Sequence, residues 1–437
     1  MSTASSDPAA PRLEASASEP SGAAWGIHLQ PTGAIFVDRL SLYYARLTGD
    51  AYELALQLAR TGSLRDTTRI QSRLRRRPVE QLEIELAGAL GGHPLTASWL
   101  DGELSAPLRV SGSSDAYLPL NVSLQLTNAC NLHCSFCYAG SGRAYPGELK
   151  AEHWIKVIER LATAGVAAIT LTGGEPTAVS GFPRVLAAAS ALVESVDIFT
   201  NGLSFSDEAV AFTAALGNVS AQVSVDGAQA GHDALRGRRG SYQAALSTIR
   251  RLSQAGVRVV VAMTISPANH SDLDEVLQAV ADAGAAGFRA GAVMPIDRGA
   301  GPGFELGSEQ IAEVNRQFAR ARAGGHDLDA VGWDQCADLD DELAGAGLPV
   351  EFRTPGYLSW HVMPTGQVTP CQVERESFGH ILREPMAEIG HPERLARVRS
   401  NAHACACIAA IRLPEDADLP FGLRPGPECC GDGGCAA

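Results

Sequence analysis

Between residues 119 and 300 the apolar positions alternate between two patterns. Short runs rich in Val, Ile and Leu occupy 122–126, 167–171, 196–199, 219–225, 257–265 and 287–293. Between them lie segments with apolar residues at helical spacing, at 151–164, 183–193, 207–216, 242–255 and 273–283. Short apolar runs bounded by turn residues read as strands, and the intervening 3.6-residue period reads as amphipathic helices. Repeated strand-then-helix units predict a parallel sheet covered by helices, with its chemistry at the carboxyl ends of the strands. The units are six, where a closed barrel of this kind takes eight. The fold class predicted is therefore α/β, a partial (β/α)6 barrel open on one side.

The flanks differ. Residues 27–29 and 35–37, joined through Pro31-Thr32-Gly33, read as a hairpin, and helical signals follow at 52–58, 64–75 and 79–90. This predicts a small winged-helix-like domain over 25–92, then a linker over 93–118 rich in turn residues around Ser111-Gly112. The barrel is assigned to 119–307 and a last, Cys-rich region to 308–437. That region opens on a helix over 308–321. A hairpin follows, 357–363 and 367–369 about Pro364-Thr365-Gly366, and delivers Cys371 at its end. Residues 1–24, rich in Ala, Ser and Pro, lack a cationic stretch followed by an apolar core. They read as a disordered tail, not a signal peptide.

Composition narrows the class. The chain has 437 residues, 45% hydrophobic and 19% charged, with a formal net charge of −14. Such an acidic chain lacks the cationic surface that phosphate backbones require, so nucleic acid is excluded as a main partner. No apolar run of about 18 residues is present, so no membrane helix is expected, and a cytoplasmic location follows. Arg65, Arg69, Arg73 and Arg76 recur at helical spacing, but with only two Lys in the chain Arg is its default cation. This stripe reads as a solvated face, with docking of an acidic peptide as the alternative. Ten Cys in a chain without a secretion signal point to metal or redox chemistry, not disulfides.

Those Cys cluster. Cys130, Cys134 and Cys137 form C-x3-C-x2-C just after the first barrel strand, and Cys336, Cys371, Cys405, Cys407, Cys429, Cys430 and Cys435 follow the barrel. A zinc site ordinarily closes with a fourth ligand at short spacing, and His133, between two of the thiols, is poorly placed to be one. Three thiolates can instead hold three irons of a four-iron cluster and leave the fourth open to a ligand. Further motifs fall at successive strand ends: Thr172-Gly173-Gly174-Glu175-Pro176, Thr200-Asn201-Gly202 and Ser224-Val225-Asp226-Gly227, with Arg236 beyond them.

The spacing C-x3-C-x2-C, with Phe136 before the last Cys and Tyr138 after it, resembles the signature of the radical S-adenosylmethionine (SAM) enzymes. The resemblance implies a [4Fe-4S] cluster on Cys130, Cys134 and Cys137 whose open iron binds SAM and whose electron cleaves it to a 5′-deoxyadenosyl radical. It places Phe136, Gly173, Gly174, Glu175, Asn201, Ser224 and Arg236 around SAM: the Gly-Gly-Glu stretch on its amino group, Ser224 and Asn201 on ribose or carboxylate, Arg236 on carboxylate. Arg238 and Arg239 compete for the last role.

Gly366 to Cys371, as G-x4-C, resembles the hairpin of the auxiliary-cluster extensions called SPASM and twitch domains. This implies one or two auxiliary [4Fe-4S] clusters on the seven post-barrel Cys. Cys336 lies further from the hairpin glycine than in relatives, and C-x-C replaces their C-x2-C, so the ligand assignment stays open. Domain order resembles the maturases of ribosomally made peptides. It implies a precursor peptide whose leader docks on the N-terminal domain, formation of a thioether or carbon-carbon cross-link, and a flavodoxin- or ferredoxin-type electron donor. A radical SAM dehydrogenase or lyase acting on a small molecule such as an aminosugar, and a non-catalytic iron-sulfur protein, are the alternatives. No catalytic side chain beyond the cluster ligands is nominated.

Overall fold

The computed structural model describes residues 25–38, 44–47, 52–53, 56–57, 60–61, 64–89, 109–323, 331–333 and 354–401. The N-terminal tail, Cys336 and the five Cys from Cys405 onward lie outside the described residues. The chain divides into two compact units with the break at Tyr117/Leu118, Thr163–Gly165 clustering with the first.

In the first unit the Pro-Thr turn closes the expected hairpin of β1 (Trp25–Gln30) and β2 (Gly33–Asp38), Ile27 opposite Phe36. β3 (Tyr44–Leu47) adds antiparallel to β2. Helices α1 (Leu64–Arg75) and α2 (Val79–Ala89) follow. Part of the expected linker is not one: Arg109–Gly112 forms β4, parallel to β1, and gives the sheet order β3-β2-β1-β4. The segment is short and Ser/Gly-rich, so its own pattern carries little strand signal. The backbone ladder supplied by β1 orders it.

The second unit is built on a ten-stranded sheet, order β11-β10-β9-β8-β7-β6-β5-β12-β13-β14. β5 (Asn121–Gln125), β6 (Ala168–Thr172), β7 (Ser195–Thr200), β8 (Val219–Ser224), β9 (Val259–Ile265) and β10 (Gly287–Ala292) are the six expected parallel strands. Between them run α3 (Ala151–Thr163), α4 (Phe182–Leu192), α5 (Asp207–Leu216), α6 (Gln229–Leu235), α7 (Ser241–Gln254) and α8 (Leu273–Asp282), followed by α9 (Ser308–Ala323). The short α6 was not anticipated; it carries His232 and leads into Arg236.

Two further strands join in parallel at the flanks, β11 (Val331–Trp333) beside β10 and β12 (Ser359–Val362) beside β5. β13 (Gln367–Thr369) and β14 (Gly379–His380) complete an antiparallel meander. The hairpin read as part of a separate C-terminal region thus extends the barrel sheet itself.

Each barrel strand alternates. One face, with Val122, Leu124, Ile169, Leu171, Val196, Ile198, Ala221, Val223, Val259 and Val261, is fully buried, and burial of each Val, Leu or Ile among them is worth about 1.5–3 kcal/mol. The other face is half-buried along β7, β8 and β9. This is the concave side, and the site lies at its carboxyl end.

Candidate active site

The loop after β5 is fixed from several directions. The indole N–H of Trp154, a fully buried residue of α3, donates to the Leu126 carbonyl at 3.1 Å. Glu148 accepts from the Thr127 hydroxyl (2.6 Å) and the Asn128 N–H (2.7 Å). Past the strand ends the β5–β6 ladder continues, Gly174 N–H to Thr127 O at 2.7 Å and Glu175 N–H to Ala129 O at 2.9 Å. The paired glycines are what permit this approach. A Cβ on Gly173 would stand 2.8 Å from the Thr127 carbonyl oxygen, and one on Gly174 2.3 Å from that of Ala129. The Gly-Gly stretch is thereby pressed against the residue preceding Cys130.

A cavity of about 270 Å³ opens there, and Cys130, Cys134, Phe136 and Cys137 line it together with Gly173, Gly174, Asn201, Ser224 and Arg236. Four separate strand ends and one loop contribute these groups. Cys134 is buried, and burial, partly offset by the Arg236 charge, pushes its thiol up to about 11. Burial likewise raises Cys130. The Asn201 amide donates to Asn131 Oδ1 (2.7 Å) and lies 3.9 Å from the Cys130 sulfur.

Of Arg236, Arg238 and Arg239, Arg236 lines the cavity, while Arg238 and Arg239 are exposed. Its guanidinium makes a buried ion pair with the fully buried Asp226 and lies 5.7 Å from the centroid of the Phe136 ring. Burial works against its charge, but the Asp226 carboxylate outweighs that and holds the guanidinium protonated. The carbonyls of Leu235 and Arg236 in turn accept from Ser135 N–H (2.9 Å) and His133 N–H (3.3 Å), so the middle of the Cys loop hangs on this segment.

Glu175 departs from expectation. Its carboxylate does not line the cavity; it is fully buried and accepts from Thr200 Oγ1 (2.8 Å), Asn201 N–H (2.9 Å) and Thr177 Oγ1 (2.7 Å). Burial raises its pKa against the lowering effect of these bonds. Its carboxylate fixes the end of β7, and with it Asn201. Asp226, left open between a turn cap and a ligand contact, is the partner of Arg236.

Other groups went unforeseen. Arg298, beyond β10, donates to the carbonyls of Cys134 (2.7 Å) and Ser141 (2.9 Å). The Tyr138 hydroxyl donates to Gln372 at 2.9 Å, next to Cys371, a half-buried thiol whose sulfur accepts from Glu374 N–H at 3.3 Å. Arg289 places its guanidinium 5.5 Å from the Phe199 ring centroid, and both line the cavity, as does Gln222. No local motif marks these residues; only the Arg at a strand end was available as a signal.

The donor set fits an iron-sulfur cluster and SAM. Among the described residues no three His, Cys, Asp or Glu side chains converge closely enough to hold a single metal ion. Three thiols spread about one cavity instead suit a cluster in which each thiolate takes its own iron. Facing them, the open backbone of Gly173-Gly174 and the polar Asn201, Ser224 and Arg236 suit an amino acid carboxylate, amine and ribose.

A thiol triad on the loop after the first strand of an open parallel barrel, facing a Gly-Gly strand end across one cavity, defines a radical SAM fold. The chain belongs to the Radical SAM superfamily, which it matches over residues 124–280. It is 44% identical over 398 residues to the sporulation killing factor maturation protein SkfB of Bacillus subtilis (strain 168), covering 90% of this chain and 94% of that protein. To the mycofactocin maturase MftC of Mycolicibacterium smegmatis it is 30% identical over 339 residues, 71% of this chain and 82% of that one. Among solved structures, Streptococcus suis SuiB bound to its precursor peptide SuiA shares the fold with a TM-score of 0.67 at 13% identity, covering 86% of this chain and 89% of that chain.

Proposed function

We infer that this chain is a radical SAM peptide maturase, which cleaves SAM reductively and oxidatively cross-links a ribosomally made precursor peptide through a thioether or carbon-carbon bond. The observation that carries this reading is its identity with the maturation protein SkfB over nearly the whole of both chains, combined with a thiol-lined cavity on the open side of the barrel.

Cys130, Cys134 and Cys137 would hold the [4Fe-4S] cluster. When bound, this group supplies the electron that releases a 5′-deoxyadenosyl radical from SAM, to which the substrate loses a hydrogen atom. Gly173 and Gly174 present backbone groups to the SAM amine. Ser224, Asn201 and Arg236 hold its ribose and carboxylate, and Phe136 shields the loop side from water. Glu175 and Arg298 keep those groups in place.

Cross-linking is a net loss of two hydrogens from the peptide, so an electron acceptor is needed. The post-barrel thiols, Cys371 among them, would hold one or two auxiliary [4Fe-4S] clusters in that capacity. A winged-helix-like N-terminal domain over 25–92 would take the leader as an added strand, and a flavodoxin- or ferredoxin-type protein would supply electrons in the cytoplasm. No helix among the described residues is long and apolar enough to cross a membrane.

The test is incubation of the reduced, cluster-loaded protein with SAM and the precursor peptide encoded beside its gene. A product lighter by two hydrogens and dependent on residues 25–92 is expected. 5′-Deoxyadenosine without any peptide product would refute the maturase assignment, and its complete absence would refute SAM cleavage.

A further inference from the structure

One side chain in the cavity wall presents donors and an acceptor that nothing in the fold meets. The Gln222 carboxamide, on the half-buried face of β8, lines the cavity and makes no hydrogen bond among the described residues. It stands two residues before Ser224, hence on the same face and about 6.6 Å deeper. Its surroundings follow from the sheet. Phe199 is paired with it across the β7–β8 ladder. Arg289 shares a row with Ser224 through the small Ala262 between them, and leans across the concave face until its guanidinium lies 5.5 Å from the Phe199 ring centroid.

Charge decides what fits there. Arg236, Arg289 and Arg298 line the cavity, and among the described lining residues there is no Asp, Glu or Lys. Arg236 is committed to Asp226, and Arg298 to two carbonyls of the Cys loop. A guanidinium carries N–H groups on both edges, so Arg289 can take a ligand besides its present contacts. A substrate ammonium or guanidinium would meet that cation with no carboxylate in the described wall to offset it. Asp197, on the same face of β7, takes the Ser220 hydroxyl and is not a lining residue. A substrate carboxylate would suit Arg289, but it would face the thiolates of the triad across a cavity of about 270 Å³ and leave the Gln222 carbonyl oxygen without a donor. An apolar side chain would desolvate both polar groups and satisfy neither. A secondary amide, with one donor and one acceptor, meets both and brings no charge.

We propose that Gln222 and Arg289 form a subsite for one backbone amide of the substrate, Gln222 Oε1 accepting its N–H and Arg289 donating to its carbonyl. The main chain, and not a particular side chain, is gripped one pleat below Ser224. That the amide belongs to a peptide rests on the maturase reading; affinity for an amide does not.

The first measurement needs no peptide. Saturation-transfer NMR with N-acetylglycine N-methylamide on the SAM-loaded holoenzyme should show binding that falls about two- to tenfold in Gln222→Leu, the worth of one neutral hydrogen bond, and further in Arg289→Met. N-acetylglycine, the same unit ending in a carboxylate, should bind no more tightly. The second measurement replaces core-peptide amides by esters, one position at a time. At the gripped position the ester, which lacks the N–H, should raise KM for the wild type by a similar factor at nearly constant kcat, and leave KM for Gln222→Leu where it was, because the partner is already gone. At other positions the two enzymes should respond alike.

Additive effects at every position overturn the subsite, as does probe binding unchanged in Gln222→Leu. Tighter binding of N-acetylglycine than of its methylamide marks a carboxylate site and overturns the amide assignment. A fall in SAM affinity as large as that for the peptide assigns Gln222 to SAM and overturns it as well. Gln222→Met, closer in shape, carries the same comparisons if circular dichroism shows the Leu variant misfolded. Probe binding that depends on Gln222, with no peptide modified by the wild type, supports the subsite and counts against the maturase reading.

Discussion

The guanidinium of Arg236 and the carboxylate of Asp226 meet in an ion pair sealed beneath the Cys loop. Asp226 is itself held by Thr264 N–H at 2.7 Å, and its own N–H donates to His232 Nδ1 at 3.0 Å. One edge of the guanidinium is thus committed while the residue still lines the cavity, and its carbonyl supports the loop that carries the thiols.

Asp226→Asn leaves a buried arginine without its counter-charge, a loss of about 3–5 kcal/mol for such pairs. We expect a lower melting temperature together with SAM affinity reduced ten- to a hundredfold and an altered EPR signal of the reduced cluster. Arg236→Lys should weaken SAM binding comparably, since an ammonium cannot reproduce the fork, and Arg239→Ala should not. Normal SAM affinity in a merely less stable Asp226→Asn protein would show that the pair only supports the fold.

Cys130→Ala, Cys134→Ala and Cys137→Ala should each abolish 5′-deoxyadenosine formation and remove one cluster's share of iron, leaving the far-UV circular dichroism intact. Chromatographic assay after dithionite reduction reads the first effect and colorimetric iron analysis the second. SAM cleavage surviving in any of the three would contradict the triad assignment.

Gly174→Ala is a test of packing. The added methyl would press on the Ala129 carbonyl at 2.3 Å, a backbone atom beside Cys130, and Gly173→Ala meets Thr127 at the longer 2.8 Å. Overpacking of this kind costs about 1–3 kcal/mol. Gly174→Ala should therefore lower cluster occupancy more than Gly173→Ala, as read by colorimetric iron analysis and the visible absorbance of the reconstituted protein. The reverse order would mean that contact with SAM, not backbone approach, dominates at this turn.

Acid should weaken the second unit through two histidines. Burial lowers His361 to about 4; burial also lowers His232 to about 4, helped by Arg236 and opposed by Asp226. Because both folded-state values lie below the ordinary 6.5, the stability they confer is complete above pH 6.5 and drains away as pH falls toward 4. Each contributes at most about 3 kcal/mol, at about 1.4 kcal/mol per unit. Urea midpoints of the metal-free protein measured under argon from pH 7 to 4.5 should fall steeply, and less steeply in His361→Gln. Parallel curves for the two proteins would exclude His361 as a source of the slope.

The barrel was legible because its outward faces must be continuous apolar stripes, and a stripe such as Val219, Ala221, Val223 is a local signal. The thiol triad and the Gly-Gly turn were legible for a similar reason, since their constraints act within a few residues. What escaped was contact between distant segments. Nothing near Arg298 announces that it will hold the Cys134 carbonyl, and nothing near Gln372 announces Tyr138. The burial of the Glu175 carboxylate against Thr200 and Asn201 was not legible either, because sequence fixes its place at a strand end but not which side of the strand receives the side chain. The strand Arg109–Gly112 was hidden in a turn-rich segment because its order comes from β1 and not from its own residues.

β12, from the carboxyl-terminal part of the chain, lies directly against β5, the strand that launches the Cys loop, and Tyr138 clasps Gln372 just beyond it. A truncation near residue 308 would therefore strip the neighbour from β5 and leave a raw, sticky ladder of amides and carbonyls next to the thiols. Chimaeras that graft another maturase's carboxyl-terminal region onto this barrel must carry Ser359–Val362 with the barrel, or the recipient will precipitate before its clusters can be rebuilt.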